Sequence, residues 1–119
     1  MAANPLPSNQ ELQLSTEKKA ERIVVHASGR ITSSTSNLLQ STVRGLIPGA
    51  KRIVLDMAEV HYIDSSGIGA LVSVYLAASR AQCEMELANP QPRIRDLFEM
   101  SRLTAVFENR GGYRGLGPL

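Results

Sequence analysis

Two neighbouring hydroxyls, Ser65 and Ser66, follow a carboxylate, Asp64, and precede Gly67-Ile68-Gly69. A β-branched run, Arg52 to Asp56, lies upstream, and an apolar-periodic stretch, Ile68 to Ala81, begins inside the motif. The serines therefore sit where a helix starts. Unpaired backbone N–H groups and the positive end of the peptide dipole collect there. Two chemistries fit such a place. A serine can cap the helix, or it can carry a phosphate, which a helix N-terminus stabilises. Asp64 adds charge favourable to a helix start, and the glycines permit a tight turn packed closely on a sheet. Residue types and spacing alone leave capping and a functional site equally open.

Other chemistries lack their partners. Gly67-Ile68-Gly69 opens a dinucleotide-type fingerprint, but its third glycine falls at Val72. There is no Gly-Lys-Ser/Thr phosphate loop and no Gly-x-Ser-x-Gly nucleophile elbow. His26 falls in an expected strand and His61 in a connection, without a paired motif, so both read as structural or exposed. No Cys/His spacing suggests zinc. Cys83, the single cysteine, cannot form an internal disulfide, which fits a reducing compartment. The expectation is a chain with no catalytic residue, no metal and no cofactor.

Composition narrows the class further. A chain of 119 residues implies one domain. At this size roughly 65% of the unfolded surface can be buried, so no disulfide or metal staple is required. Aromatic content is 4%, so the core must be mostly aliphatic. The net charge of +2 is small and its cations are scattered. Lys18, Lys19 and Arg22 flank a turn, Lys51 and Arg52 precede a strand, and Arg110 and Arg114 lie in a Gly-rich tail. A nucleic-acid binder concentrates such residues on one face among aromatics, so direct nucleic-acid binding is not expected. Met1 to Pro7 has neither the basic start nor the apolar core of a signal peptide. No apolar stretch reaches bilayer length. A cytoplasmic location and no membrane span are expected.

The elements that must position the motif follow from hydrophobic period. Residues 1–10 are polar with two prolines and are expected to be disordered. Glu11 to Ser15 alternates like an edge strand, Thr16 to Glu21 is charged and turn-like, and Arg22 to Ser28 reads as a second strand closed by Gly29. Ser33, Ser34 and Thr35 are capping candidates for a helix carrying Leu38, Leu39, Thr42, Val43, Leu46 and Ile47, stopped by Pro48-Gly49. Ile53-Val54-Leu55 is continuously apolar, as in a strand covered on both faces. After the serine helix come a weaker strand, Met85 to Ala88, and a third helix opened by Asn89-Pro90-Gln91-Pro92. A last strand is expected at Ala105 to Glu108, then a flexible Gly-rich tail over residues 110–119. The order β-β-α-β-α-β-α-β implies an α/β fold: a mostly parallel sheet with an antiparallel N-terminal edge and helices packed against it. Functional loops of such sheets gather at the carboxyl ends of strands. Gly29 to Thr32 and Asp64 to Gly67 both belong to that end.

Ile53-Val54-Leu55-Asp56-Met57 and Tyr62-Ile63-Asp64-Ser65-Ser66-Gly67-Ile68-Gly69-Ala70-Leu71 resemble the signature of the STAS domain family, and in particular its stand-alone bacterial anti-sigma factor antagonists. The likeness extends to Asn89 through Ser101, similar to that family's third helix, and more loosely to Gly29-Arg30-Ile31-Thr32, its first functional loop. It covers roughly residues 11 to 109, a full domain. The resemblance implies a protein that binds a kinase-type anti-sigma factor and so frees a sigma factor. The anti-sigma factor, a serine protein kinase, then phosphorylates the antagonist, and a PP2C-type phosphatase resets it. The implied phosphorylation site is Ser65. The implied partner-binding residues are Asp64, Ser66, Gly67, Ile68, Gly69, Arg30 and Thr32.

The chain also departs from that pattern. Thr32 stands where many antagonists carry an acidic residue, and Arg102 where a glycine commonly follows the third helix. The usual final helix is not visible. Thr32, Ser33, Ser34 and Thr35 offer alternative phosphate acceptors. A second reading keeps the fold and drops the switch, making the chain a scaffold subunit of a transporter-associated or sensory complex. A third, a small nucleotide-binding enzyme using Gly67-Ile68-Gly69, lacks the lysine, general base and metal ligands it needs. Oligomeric state is left open.

Overall fold

Leu12–Lys19 (β1) and Arg22–Ile31 (β2) form an antiparallel hairpin, in register from Leu12 opposite Gly29 to Lys19 opposite Arg22. The computed structural model of the chain describes residues 11–100 and, as backbone alone, residues 113–114. β1 continues through Thr16 to Lys19, where charge pattern alone suggests a turn; the turn itself is only Ala20-Glu21. The physical reason is position. β1 lies at the edge of the sheet, where exposed lysines are tolerated and discourage further pairing.

The chain then alternates between helix and strand. Ser36–Leu46 (α1) ends in a single 3₁₀ turn, Ile47–Gly49, that carries Pro48. Arg52–Ile63 (β3) follows, then Ser65–Arg80 (α2), Glu84–Ala88 (β4) and Pro92–Met100 (α3). Tyr113–Arg114 (β5), inside the stretch expected to be a flexible tail, pairs in parallel with Leu87 and Ala88. The strand order is β1-β2-β3-β4-β5, and only the β1–β2 pair is antiparallel. The mostly parallel α/β sheet with an antiparallel edge is therefore what the chain forms. The strand expected at residues 105–108, the expected disorder of residues 1–10 and the Arg102 position all lie outside the described residues.

One aliphatic core holds these layers together. Ile23, Val25 and Ala27 of β2, Ile53, Leu55 and Met57 of β3, and Met85 and Leu87 of β4 share it with Leu39 and Val43 of α1. Ala70, Leu71, Val74 and Ala78 of α2 and Ile94 and Phe98 of α3 complete it. The alternate residues Val24, Val54 and Ala88 form a separate buried cluster, so β2 and β3 are covered on both faces.

β3 is longer than its apolar run suggests. It gains one residue on β2 between the His26–Asp56 and Ser28–Glu59 pairs, and another between Gly29–Val60 and Arg30–Tyr62. Each bulge shifts the inward phase, so Met57, Val60 and Ile63 are all buried at a spacing of three. The Asp56 carboxylate accepts the Ala58 N–H at 3.1 Å and secures the first bulge. This extension carries β3 to the same end of the sheet as the close of β2.

Candidate functional site

The carboxyl ends of β2 and β3 are joined directly: the Asp64 N–H donates to the Ile31 carbonyl at 3.2 Å. The chain then turns into α2. Asp64 is extended, with φ −113 and ψ −173, and its Oδ1 accepts the Gly67 N–H at 3.0 Å. This is side-chain capping of the helix start, and the carboxylate supplies it, not the serines. Its carbonyl accepts the Ile68 N–H at 2.9 Å, closing the first helical turn. α2 thus begins at Ser65, three residues before the apolar periodicity does.

Gly67 is buried, and a Cβ there would land on the Ile31 carbonyl oxygen and lie 2.7 Å from the Ile63 side chain. The glycine lets the helix start press against the ends of both strands. Gly69 differs, being exposed with open space where a Cβ would point. Ile68 is half-buried against the core. Ser65 and Ser66 are exposed at the first turn, whose N–H groups have no intrahelical acceptor.

The neighbouring loop, from Arg30 to the start of α1, uses its hydroxyls differently. Thr35 is fully buried; its Oγ donates to the Arg30 carbonyl at 2.8 Å and accepts the Thr32 N–H at 2.9 Å. Thr32 is 8% exposed, and its Oγ accepts the Ser34 N–H at 3.2 Å. Its carbonyl accepts from both Thr35 and Ser36 N–H, at 3.1 and 2.8 Å. Thr35 occupies the N-cap position of α1, yet its side chain makes no cap bond. The hydroxyl staples the loop to β2 instead. Among the alternative acceptors, Thr32 and Thr35 are buried and engaged, while Ser33 and Ser34 are exposed.

Arg30 and Tyr62 are paired across β2 and β3, and the Arg30 guanidinium lies 4.8 Å from the centre of the Tyr62 ring. Tyr62 is 44% exposed. Sequence reasoning picked out Arg30 and missed Tyr62. Their adjacency depends on two bulges that no residue pattern announces. The structure therefore gathers Asp64 to Gly69, Arg30 and Thr32 at one end of the sheet, with Thr32 contributing loop shape rather than an exposed hydroxyl.

A second polar cluster lies along the middle of the sheet. His26 Nδ1 is 2.9 Å from Asp56 and its Nε2 3.1 Å from Glu17, so the ring bridges β1 and β3. The bonds to Glu17 and then to Asp56 raise its pKa above the ordinary histidine value, against a smaller effect of burial. The same bond to His26, helped by Lys19, holds Glu17 below the usual carboxylate range. His61 sits 3.3 Å from Gln91, whose amide also donates to the Ala58 carbonyl at 2.8 Å. Burial pushes the Cys83 thiol up and away from reactivity. Among the described residues no group of three or more His, Cys, Asp or Glu is placed to hold a metal. No described helix is long and apolar enough to cross a membrane.

The chain is similar to known proteins in sequence and in fold. The chain is 27% identical over 97 residues to an anti-sigma F factor antagonist of Paenibacillus polymyxa, covering 80% of this chain and 83% of that one. An anti-sigma factor antagonist from Mycobacterium paratuberculosis has a similar fold, with TM-score 0.78 at 18% identity over 93% of this chain and 90% of that one. The Bacillus cell fate determinant SpoIIAA, solved in its phosphorylated form, superposes with TM-score 0.66 at 18% identity, covering 87% of this chain and 91% of its own. The STAS domain model matches residues 13–113, which include both strand ends, the capped serine turn and the three helices. The chain belongs to the STAS domain family.

Proposed function

We propose that this chain is an anti-sigma factor antagonist, switched off by phosphorylation of Ser65. In the unmodified state it binds a kinase-type anti-sigma factor and releases the sigma factor held there. That anti-sigma factor phosphorylates Ser65 with ATP, and a PP2C-type phosphatase restores the serine. Asp64, Ser66, Ile68 and Gly69, with Arg30, form the contact surface, and the buried Gly67 and Thr32 shape it from beneath. The protein acts by binding, in the cytoplasm, with no catalysis of its own.

The observation that carries this reading is the exposed Ser65 hydroxyl at a helix start whose capping is already done by Asp64. Freed from capping, the serine is available to a kinase. A phosphate there adds about −1.5 to −2 charge at neutral pH, which the helix terminus tolerates. The fold need not change. The cost falls on the interface, through bulk, desolvation and repulsion beside Asp64. A loss of about 2.8 kcal/mol suffices to weaken binding about a hundredfold. The relatives named above are antagonists of anti-sigma factors, and one neighbour has been solved phosphorylated.

The test is incubation with ATP and each kinase-type anti-sigma factor of the source genome, with phosphosites mapped by mass spectrometry. Modification at Ser65 is expected, with Ser65→Ala still binding and Ser65→Asp binding about a hundredfold worse. Labelling at Ser33 or Ser34 with Ser65 untouched would show the site assignment to be wrong. Equal affinity of the two variants would favour an unswitched scaffold subunit.

A further inference from the structure

Arg30 is held differently from Arg52, Arg95 and Arg44. Arg52 is paired with Glu84 at 2.7 Å, Arg95 with Glu99 at 4.0 Å, and Arg44 donates to Ser73 at 2.8 Å. Arg30 is exposed, and no described carboxylate lies within ion-pair distance of it. Its guanidinium is held over Tyr62 at 4.8 Å. A stacked guanidinium keeps its N–H fork free and loses little conformational freedom on binding, because the aromatic face has already ordered it. Tyrosine and arginine are also the residue types that dominate interface energetics.

Position gives the pair its meaning. Arg30 precedes Ile31, whose carbonyl holds the Asp64 N–H, and Asp64 precedes Ser65. Tyr62 precedes Ile63 on the neighbouring strand, in register with Arg30. Ile31 and Ile63 point into the core and fix the two strand ends. The pair is thus anchored on rigid strands beside the serine turn, not on a mobile loop. Thr32, where a carboxylate was the alternative, leaves Arg30 without a neighbouring negative charge in its own loop.

We propose that Arg30 and Tyr62 form a carboxylate-docking pair, in which Arg30 takes an Asp or Glu of the anti-sigma partner and Tyr62 covers the apolar stem of that side chain. The inference rests on the antagonist reading and names the chemistry of its partner. A planar guanidinium matches a carboxylate through two parallel hydrogen bonds, which a lysine cannot reproduce. The pair sets which anti-sigma factor is recognised, while Ser65 sets whether it is held.

The experiment measures affinity of the full chain for the anti-sigma factor that phosphorylates it, with circular dichroism as the folding control. Arg30→Ala is expected to weaken binding about tenfold, and Arg30→Lys to restore only part of the loss. Tyr62→Ala is expected to cost about threefold alone and almost nothing in the Arg30→Ala background, since the two act as one unit. The salt dependence of binding should flatten in Arg30→Ala. Arg30→Glu should be rescued by one Asp→Arg or Glu→Arg variant found by scanning the partner's surface. If wild type binds and Arg30→Ala binds equally well, this inference fails and the antagonist reading stands. If Arg30→Ala changes only the behaviour of the Ser65-phosphorylated chain, the guanidinium serves that phosphate and the docking pair is wrong. If wild type binds no kinase-type anti-sigma factor, both readings fall.

Discussion

The two helix starts at the carboxyl end of the sheet use the same residue types to opposite ends. At α1, Thr32 and Thr35 turn their hydroxyls inward and spend them on the backbone of their own loop. At α2, a carboxylate takes the capping role and both serines stay exposed. A hydroxyl already bonded inside a buried loop is unavailable to a kinase, whereas one relieved of capping is free to react. The difference teaches that availability, not the presence of Ser or Thr at a helix start, marks the candidate switch. It also separates structure from function by residue: the α1 loop should be sensitive to mutation in stability, the serines in binding.

The largest effect should come from the residue that lets α2 approach. Gly67→Val drives a side chain into the Ile31 carbonyl and the Ile63 side chain. Urea unfolding should show a loss of about 3 kcal/mol, near the upper end of overpacking costs. A loss under 1 kcal/mol would mean that the helix start can slide away from β2, and the tight joint would lose its importance.

Next comes the comparison itself. Thr35→Val keeps the shape but removes the bond to the Arg30 carbonyl and orphans the Thr32 N–H. It should cost about 2 kcal/mol by the penalty for unsatisfied buried groups. Ser65→Ala, at the matching helix start, should stay within about 0.5 kcal/mol of wild type because the residue is exposed and caps nothing. Equal costs for the two would erase the distinction drawn here. Asp64→Ala lies between them: loss of the side-chain bond to Gly67 should cost about 1 kcal/mol, and Asp64→Asn should recover most of it.

How far the sequence foretold these two sites depends on what each required. The serine turn is legible as a helix start because its signals are local: polar capping types, a tight-packing glycine and a helical period within a few positions. Residue type points to the serines as caps, and Asp64 takes that role instead. α1 is legible as a helix, but of its three capping candidates, Ser33, Ser34 and Thr35, the one at the N-cap position makes no cap bond. Residue type tells that a hydroxyl can bond, not which way it turns, and here the buried Arg30 carbonyl won. The apolar run of β3 stops at Asp56 in the sequence although the strand reaches Ile63, because its inward residues change from alternation to a spacing of three at Met57, Val60 and Ile63. That phase change comes from two bulges in the pairing of β3 with β2. Tyr62 escapes a sequence pattern for the same reason. Its contact with Arg30 exists only in the shifted register.

The smallest effect concerns pH, and it locates a sensitivity away from both helix starts. The side-chain bonds of α1's loop and the cap of α2 all run to backbone N–H or carbonyl groups, whereas His26 presents each ring nitrogen to a carboxylate. Only the imidazolium can donate both bonds at once; the neutral ring donates one. The folded pKa of His26 lies above its ordinary 6.5, so its contribution is fully present below 6.5 and is lost as pH rises through the higher folded value. Glu17 acts with the opposite sign. Its folded pKa lies below 4.5, so its contribution is present above 4.5 and disappears as pH falls through the lower value. The bridge is therefore strongest between pH 4.5 and 6.5. The neutral ring should keep its proton toward Asp56, which is 17% exposed, and release Glu17, which is 50% exposed. Raising pH from 6 to 8.5 should then speed amide exchange in β1 beyond the base-catalysed rise common to all amides, while Ile68 and Leu39, the first residues bonded within each helix, follow only that common rise. His26→Gln should abolish the difference. If exchange at the two helix starts followed pH as β1 does, the separation between a structural sheet face and a functional sheet end would not hold.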